Sequence, residues 1–418
     1  MIISLAKYYY LVVGDRFELF YRGIIKSHNP YQYYIKATCD KGYTYNRYYT
    51  FTPTSTDVGE YKLTISIFDD LGNVIEAKDT TLVVNEVKKV SPKNILCIGD
   101  SITTNGVWPY TGYKRYSETY PNILKFIGKM KKEEVGYEGY GGWQWKTFCE
   151  EYNKSQTSSV WVSCKHNKTV EDQHSVWMSL DNEWILETIE EGRLKFKRGA
   201  SNNKVNPDLG DKLTHVKHGI HFEDIKIDSF EYSEGNPFFN PITKEVDFKY
   251  YKEVNKFEEA DYCFIMLSWN GQYIPYNTDF SIHDKYASLM IDEIHEAFPK
   301  CKIGLLGIQL PCMNGGITAC YGANGYYHDW YGDTITAFNY NEFLEEFTHR
   351  DKYKSFLTYF DVKAQFDSEY NYYTKEVPVN NRSSVTERIG VNGIHPSMDG
   401  YLELGDVFYR SLIEMLKK

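Results

Sequence analysis

Over roughly the first ninety residues, short apolar and β-branched runs are separated by compact polar turns. The runs fall at 8–13, 17–25, 33–39, 48–52, 61–68, 74–76 and 80–84, divided by signals such as Gly14-Asp15, Asp40-Lys41-Gly42 and Asp69-Asp70-Leu71-Gly72-Asn73. Seven short strands with this spacing predict a small all-β sandwich over 1–90. A charged stretch, 85–93, closes on Ser91-Pro92 and reads as a linker. From Asn94 the period changes. Apolar runs at 95–98, 262–267, 302–310 and 356–362 read as buried strands, and helical spacing appears at 116–130, 284–298, 340–347 and 399–416. Repeated strand-helix units over 91–418 predict an α/β domain with a parallel sheet and helices on both faces.

Two segments interrupt that rhythm. Residues 155–235 carry alternating runs at 160–163, 175–179, 183–189 and 194–198 and predict an inserted β subdomain. The Gly- and Tyr-rich loop 311–333 is long enough to form a functional rim rather than a connector.

Composition narrows the class. With 418 residues, 42% of them apolar, the chain can bury a sizeable core in two or three domains. A net charge of −10 without any Lys/Arg block argues against nucleic acid as a partner. The longest apolar runs, about eight to ten residues, are too short to span a bilayer. The start MIISLAKYYYLVVGDRF lacks a basic leader and a small-residue cleavage site, so it reads as a mature strand and not a signal peptide. Action outside a cell would then need another route, such as export within a phage particle. The eight cysteines show neither CxxC pairs nor zinc spacing and require no disulfide. His215, His218 and His221 are evenly spaced, but no carboxylate or Cys completes a set, so neither a metal nor any other cofactor is expected. Thirty-eight Tyr and eight Trp suit a glycan ligand, and suit equally the codon bias of an AT-rich genome.

The candidate chemistry begins at 94–106, NILCIGDSITTNG, where a buried strand breaks into a turn and leaves Ser101 at its C-terminal tip. A serine there sits on a rigid support and is open to ligand, as a nucleophile must be. Later come Glu138-Gly139-Tyr140-Gly141-Gly142-Trp143-Gln144-Trp145, then Ser268-Trp269-Asn270-Gly271 after an apolar strand, and Val391-Asn392-Gly393-Ile394-His395-Pro396 before the last helix. Gly-Asp-Ser, the later Asn and the terminal His-Pro, in that order, resemble the SGNH/GDSL hydrolase family over residues 93–418. The insertion and the segment Gly235-Asn236-Pro237-Phe238-Phe239-Asn240-Pro241 are similar to the branch found in phage tail and gut bacterial proteins. Residues 51–65 are similar to bacterial Ig-like modules of surface and phage proteins.

The resemblance implies a three-layer αβα sandwich for the hydrolase domain and a serine esterase. Ser101 would be the nucleophile and His395 its base. The oxyanion donors would be the backbone N–H of Ser101, the backbone N–H of Gly142 (Gly141 next) and the amide of Asn270. Asp100 would serve the turn. The family carries Asp three residues before its His, and here that residue is Asn392. Its side-chain oxygen can accept from the imidazole N–H, as in Cys-His-Asn triads, without supplying charge. A Ser-His-Asn arrangement, a dyad, or an acid recruited from elsewhere all stay open.

The aromatic residues Trp108, Trp143, Trp145, Trp269, Tyr326, Tyr327 and Trp330, the Ig-like module and the phage-tail likeness point to removal of O-acetyl groups from a surface polysaccharide. Trp143 and Trp269 are the candidate substrate-binding residues. The partners would be an acetylated glycan or another ester and other virion tail proteins. The protein would lie in a virion or at an extracellular surface, and in the cytoplasm before assembly. A homo-oligomer is left open, since no heptad stretch predicts a trimer. The alternative is a glycan-binding virion adhesin or structural tail protein on a catalytically weakened hydrolase fold.

Overall fold

The computed structural model describes residues 2–417 apart from 28, 152–156, 164–175, 180–181, 191, 199–205, 218–219, 233–234, 268, 272–273 and 314–329. The expected rim loop 311–333 falls largely outside the described residues, as do Ser268, Tyr326, Tyr327 and the side chain of Trp330.

Seven strands form first: β1 (Tyr8–Val12), β2 (Phe17–Phe20), β3 (Tyr34–Thr38), β4 (Tyr43–Thr44), β5 (Tyr48–Phe51), β6 (Gly59–Phe68) and β7 (Val74–Asn85). They make a four-stranded sheet, β1-β7-β6-β3, and a three-stranded sheet, β2-β5-β4. The expected runs 74–76 and 80–84 are one continuous strand, because Glu76 to Asp79 stay in register with β6 across the polar middle. Alternation in β6 buries Leu63, Ile65 and Ile67 and leaves polar residues between them outward.

The central sheet is built from β8 (Lys93–Gly99), β9 (Leu124–Ile127), β10 (Met130–Lys132), β11 (Val135–Gly139), β21 (Tyr262–Met266), β22 (Lys302–Leu306) and β23 (Leu357–Phe360). Its order is β10-β11-β8-β21-β22-β23. The parallel strand β9 pairs with the first half of β8, on the edge that β11 takes at its end. From β8 the chain therefore winds first to one side and then, from β21 onward, to the other. The gap between the ends of β8 and β21 is the topological switch point, where sheets of this kind leave a crevice.

One expected helix is not formed. The stretch 116–130 divides into the end of α1 (Val107–Ser117) and the strand β9. Pro121 and Asn122, the latter at φ 60°, break the chain between them. The apolar spacing of Leu124 and Ile127 is ambiguous over so short a run, and the open edge of β8 decides it for a strand.

The other helices are α2 (Trp145–Cys149), α3 (Phe248–Asn255), α4 (Ser281–Ala297), α5 (Trp330–Thr348) and α6 (Met398–Lys417). α1 lies along α6 so closely that a methyl group on Gly112 would stand 2.3 Å from the Phe408 ring. α2 and α3 pack against α4.

Residues 157–232 form a separate seven-stranded antiparallel sheet. Its strands are β12 (Thr157–Ser163), β13 (Val176–Ser179), β14 (Asn182–Glu190), β15 (Arg193–Arg198), β16 (Lys212–Lys217), β17 (Ile220–Lys226) and β18 (Ser229–Tyr232), with its own core of Val160, Val162, Trp177, Trp184, Leu186 and Phe196. Two short pairings complete the architecture: β19 (Phe239–Asn240) with β20 (Glu245–Val246), and the hairpin β24 (Thr374–Pro378) with β25 (Thr386–Gly390) just before the His395 loop.

The N-terminal sheets share one contiguous core with the central sheet. Asp15 pairs with Arg115 of α1 and Arg410 of α6 at 2.6 Å each. Tyr9 Oη donates to Asp361 Oδ2 at 2.8 Å, and the fully covered Lys363 pairs with the same oxygen at 2.8 Å. Burial and the adjacent Asp361 carboxylate push the Tyr9 phenol well above its ordinary range. Among the described residues no helix is long and apolar enough to cross a membrane.

Candidate active site

Four chain segments meet at the switch point. The first is the turn after β8. Asp100, 1% exposed, accepts from Thr103 N at 2.9 Å and Thr104 N at 3.1 Å through its carbonyl, and from Ile102 N at 3.0 Å through Oδ1. The chain thus wraps around a buried carboxylate and presents Ser101 at the bend. Gly99 admits no side chain here, since a Cβ would meet Thr103 Oγ1 at 2.0 Å and the Met266 carbonyl at 2.5 Å.

The second segment follows β11. Tyr140 N donates to Gly99 O at 2.9 Å, and Trp143 N closes a turn onto Tyr140 O at 3.2 Å. Gly142 occupies the left-handed corner at φ 77°, which a side chain would strain. Gly141 passes beside the candidate nucleophile: a methyl group on it would lie 4.0 Å from Ser101 Cβ.

The third segment is the end of β21. Asn270 Nδ2 donates to Asp100 Oδ2 at 3.2 Å and to Trp143 O at 3.0 Å. Behind it, His283 of α4 holds the Gly271 carbonyl through Nε2 at 3.3 Å. Burial lowers the pKa of this imidazole and so favours the neutral ring, which donates Nε2–H to that oxygen.

The fourth segment brings the histidine. His395 Nε2 lies 2.9 Å from Ser101 Oγ, across 294 residues of chain. The loop is braced on three sides. Gln309 Nε2 donates to Ile394 O at 2.9 Å, Cys312 N to Gly393 O at 3.1 Å, and Asn392 Oδ1 accepts from Ile394 N at 3.0 Å and His395 N at 2.8 Å. Asn392 also touches the ring, but through its amide nitrogen, with Nδ2 3.2 Å from His395 Nδ1. Of the arrangements left open, the one in which the asparagine oxygen accepts from the imidazole is not formed, because that oxygen is already committed to two backbone donors.

The expected stacking residues are also corrected. Trp143 is 7% and Trp269 1% exposed. Trp143 stacks on Tyr140 with ring centroids 4.3 Å apart and meets Phe148 edge-on at 5.0 Å. A sugar needs an open ring face, and these rings are spent on the core beneath the site. Trp108 and Trp145 are buried as well, their indole N–H groups donated to Thr103 Oγ1 at 3.0 Å and Tyr340 Oη at 2.7 Å.

Ser101, His395, Asn392 and Asn270 are therefore brought together, with the Gly141-Gly142 turn beside them. Gln309 and His283 were not legible as supports, because a buried Gln beyond one strand and a His on an amphipathic helix carry no local signature. Among the described residues no group of three His, Cys, Asp or Glu is placed to hold a metal ion.

No family model matches the sequence, and no curated protein matches it. Among solved structures, the chain is similar to a peptidoglycan O-acetylesterase at 12% identity, covering 78% of this chain and 92% of that one with a TM-score of 0.29. It is similar to an endo-fucoidan hydrolase of glycoside hydrolase family 107 at 13% identity, over 51% of this chain and 25% of that one, TM-score 0.15. The D00-D0 domain of intimin aligns at 11% identity over 55% of this chain and 100% of that one, TM-score 0.15. Likeness at these scores carries no argument about the chemistry.

Proposed function

We propose that the protein is a serine ester hydrolase of the SGNH/GDSL type that removes O-acetyl groups from a surface polysaccharide. The observation that supports it is the 2.9 Å contact between Ser101 Oγ and His395 Nε2 at the switch point of a parallel sheet. In the reaction Ser101 Oγ attacks the acetyl carbonyl while its proton passes to Nε2. The bond between the acyl carbon and the sugar oxygen then breaks, and that oxygen takes the proton back from Nε2 to leave as the sugar hydroxyl, with the acetyl group on Ser101 Oγ. Water, deprotonated by the same nitrogen, releases acetate and restores the serine. The developing oxyanion would be met by the N–H groups of Ser101 and of Gly141 or Gly142, and by the Asn270 amide.

On this reading residues 1–90 are an Ig-like module, 91–418 the hydrolase domain, and 155–235 an insertion shaping the substrate rim. Export as part of a phage tail belongs to the same proposal and rests on the sequence resemblance alone.

A second reading, a glycan-binding tail protein that no longer turns its ligand over, is favoured by the Asn392 amide at Nδ1 and by the two acceptors that already hold the Asn270 amide. Hydrolysis of a short-chain chromogenic acetyl ester, beside Ser101→Ala and His395→Ala, separates the two. Activity lost in both variants supports the esterase, and acetate release from acetylated polysaccharide then tests the substrate. Rates equal to the variants on both substrates favour the binding protein.

A further inference from the structure

Asn392 sets its amide against one ring nitrogen of His395. Its Oδ1 is fixed by two backbone donors, Ile394 N at 3.0 Å and His395 N at 2.8 Å, and this network assigns the amide orientation. Turning the amide over would strand both N–H groups against its own hydrogens. The amide nitrogen has only hydrogens to offer, and it lies 3.2 Å from His395 Nδ1. Nδ1 therefore meets it as a lone pair. The single proton of the neutral ring then sits on Nε2, and at 2.9 Å it is donated to Ser101 Oγ. A general base has to present the opposite arrangement, a lone pair on Nε2 facing the serine hydroxyl.

We propose that Asn392 is a positioning residue that holds resting His395 in the Nε2–H tautomer, so that the Ser101–His395 pair stands in an off state. The proposal rests on reading these two residues as nucleophile and base. Turnover waits for Nε2 to give its proton to water and for water to return one to Nδ1, a proton-neutral exchange that opens the Asn392 contact. Ester cleavage then proceeds as written above. An aspartate at 392 would keep one oxygen on the two backbone N–H groups and turn the other to Nδ1–H. In serine triads the change from Asp to Asn holds the wrong tautomer and lowers turnover by roughly 10⁴-fold. The reverse change here is expected to raise kcat by on the order of a hundredfold or more.

The test uses the full chain with ¹⁵N-labelled histidine, read by NMR at a pH where the ring is neutral, with His395 assigned by the signals lost in His395→Gln. The wild-type spectrum is expected to show the proton on Nε2, and the Asn392→Asp spectrum the proton on Nδ1. In parallel, Asn392→Asp should hydrolyse an acetyl ester faster through kcat, with KM little changed, which a merely structural role for residue 392 would not produce. A wild-type ring already protonated at Nδ1 overturns the proposal. So does a folded Asn392→Asp no faster than wild type when the wild-type rate is abolished by Ser101→Ala. If Asn392→Asp does not fold, the wild-type spectrum alone decides. If neither protein cleaves any ester, the esterase reading fails while the spectra still decide the tautomer.

Discussion

Asn270 ties the ends of two neighbouring elements to the nucleophile turn: one amide nitrogen donates both to Asp100 Oδ2 at 3.2 Å and to Trp143 O at 3.0 Å. Its amide is thus a brace between β8, the glycine turn and β21 before it is anything else. Asn270→Ala is expected to lower kcat by roughly 10²- to 10³-fold if the amide also meets the oxyanion. Asn270→Asp separates the two roles. It sets a second carboxylate against Asp100, so the folded pair holds a proton that the unfolded chain has lost. Stability is then expected to fall as pH rises through the carboxylate range and to recover at low pH, measured as Tm between pH 4 and 8.

Because Trp143 lies under the site, its removal should be felt as lost packing. Trp143→Ala is expected to cost about 3–5 kcal/mol of stability. Urea unfolding measures this. The contrary result would be unchanged stability with a raised KM on polysaccharide, which would return the ring to a role in binding.

The N-terminal sheets are bound into the fold by charge as well as by apolar contact. Asp15 answers two guanidinium groups, those of Arg115 and Arg410, and its side chain is only 10% exposed. Asp15→Ala leaves two largely covered cations without their shared partner and is expected to cost about 3 kcal/mol or more. Denaturant unfolding of the wild type should show one transition by both tryptophan fluorescence and far-UV dichroism. Two resolved transitions would mean that residues 1–90 unfold independently.

A pH signature should come from Glu403 on α6. Burial pushes its carboxyl up to about 8, against the lowering by hydrogen bonds from Asn371 Nδ2 and Asp367 N. The folded value lies above the unfolded one, so the native state holds the extra proton. Stability is therefore expected to decline as pH rises from about 4.5 to 8. Glu403→Gln keeps an acceptor oxygen and removes the titration. Its Tm should exceed that of wild type at pH 8 and match it near pH 4, by calorimetry.

What the sequence disclosed about the candidate site was Ser101 and Asn270, because each sits at an abrupt change from an apolar run to a Gly-containing turn. A turn at a strand end is a local property, and His395 was legible instead from its Gly-Ile-His-Pro loop directly before the last helix. The tautomer at His395 is not local in this sense. It depends on which end of the Asn392 amide the backbone of residues 394 and 395 captures. The strand β9 was hidden for a related reason, since Leu124-Lys125-Phe126-Ile127 becomes a strand only because β8 offers it an edge. The aromatic residues misled because a buried and an exposed tryptophan read alike in a chain.

The packing of α6 also bears on the order in which the protein is made. Phe408 lies edge-on against Trp108 and Phe264 at 4.9 Å and against Phe126 at 6.3 Å, so three elements synthesised far earlier share one late-arriving ring. On the ribosome, α1, β9 and β21 emerge long before the residue that covers them, and their apolar faces stay open meanwhile. The Ser101–His395 contact forms through the same long-range closure, so it waits for the C-terminal segment to be made. A nascent chain therefore displays Ser101 well before His395 exists to meet it, and their contact belongs only to a chain synthesised past residue 395.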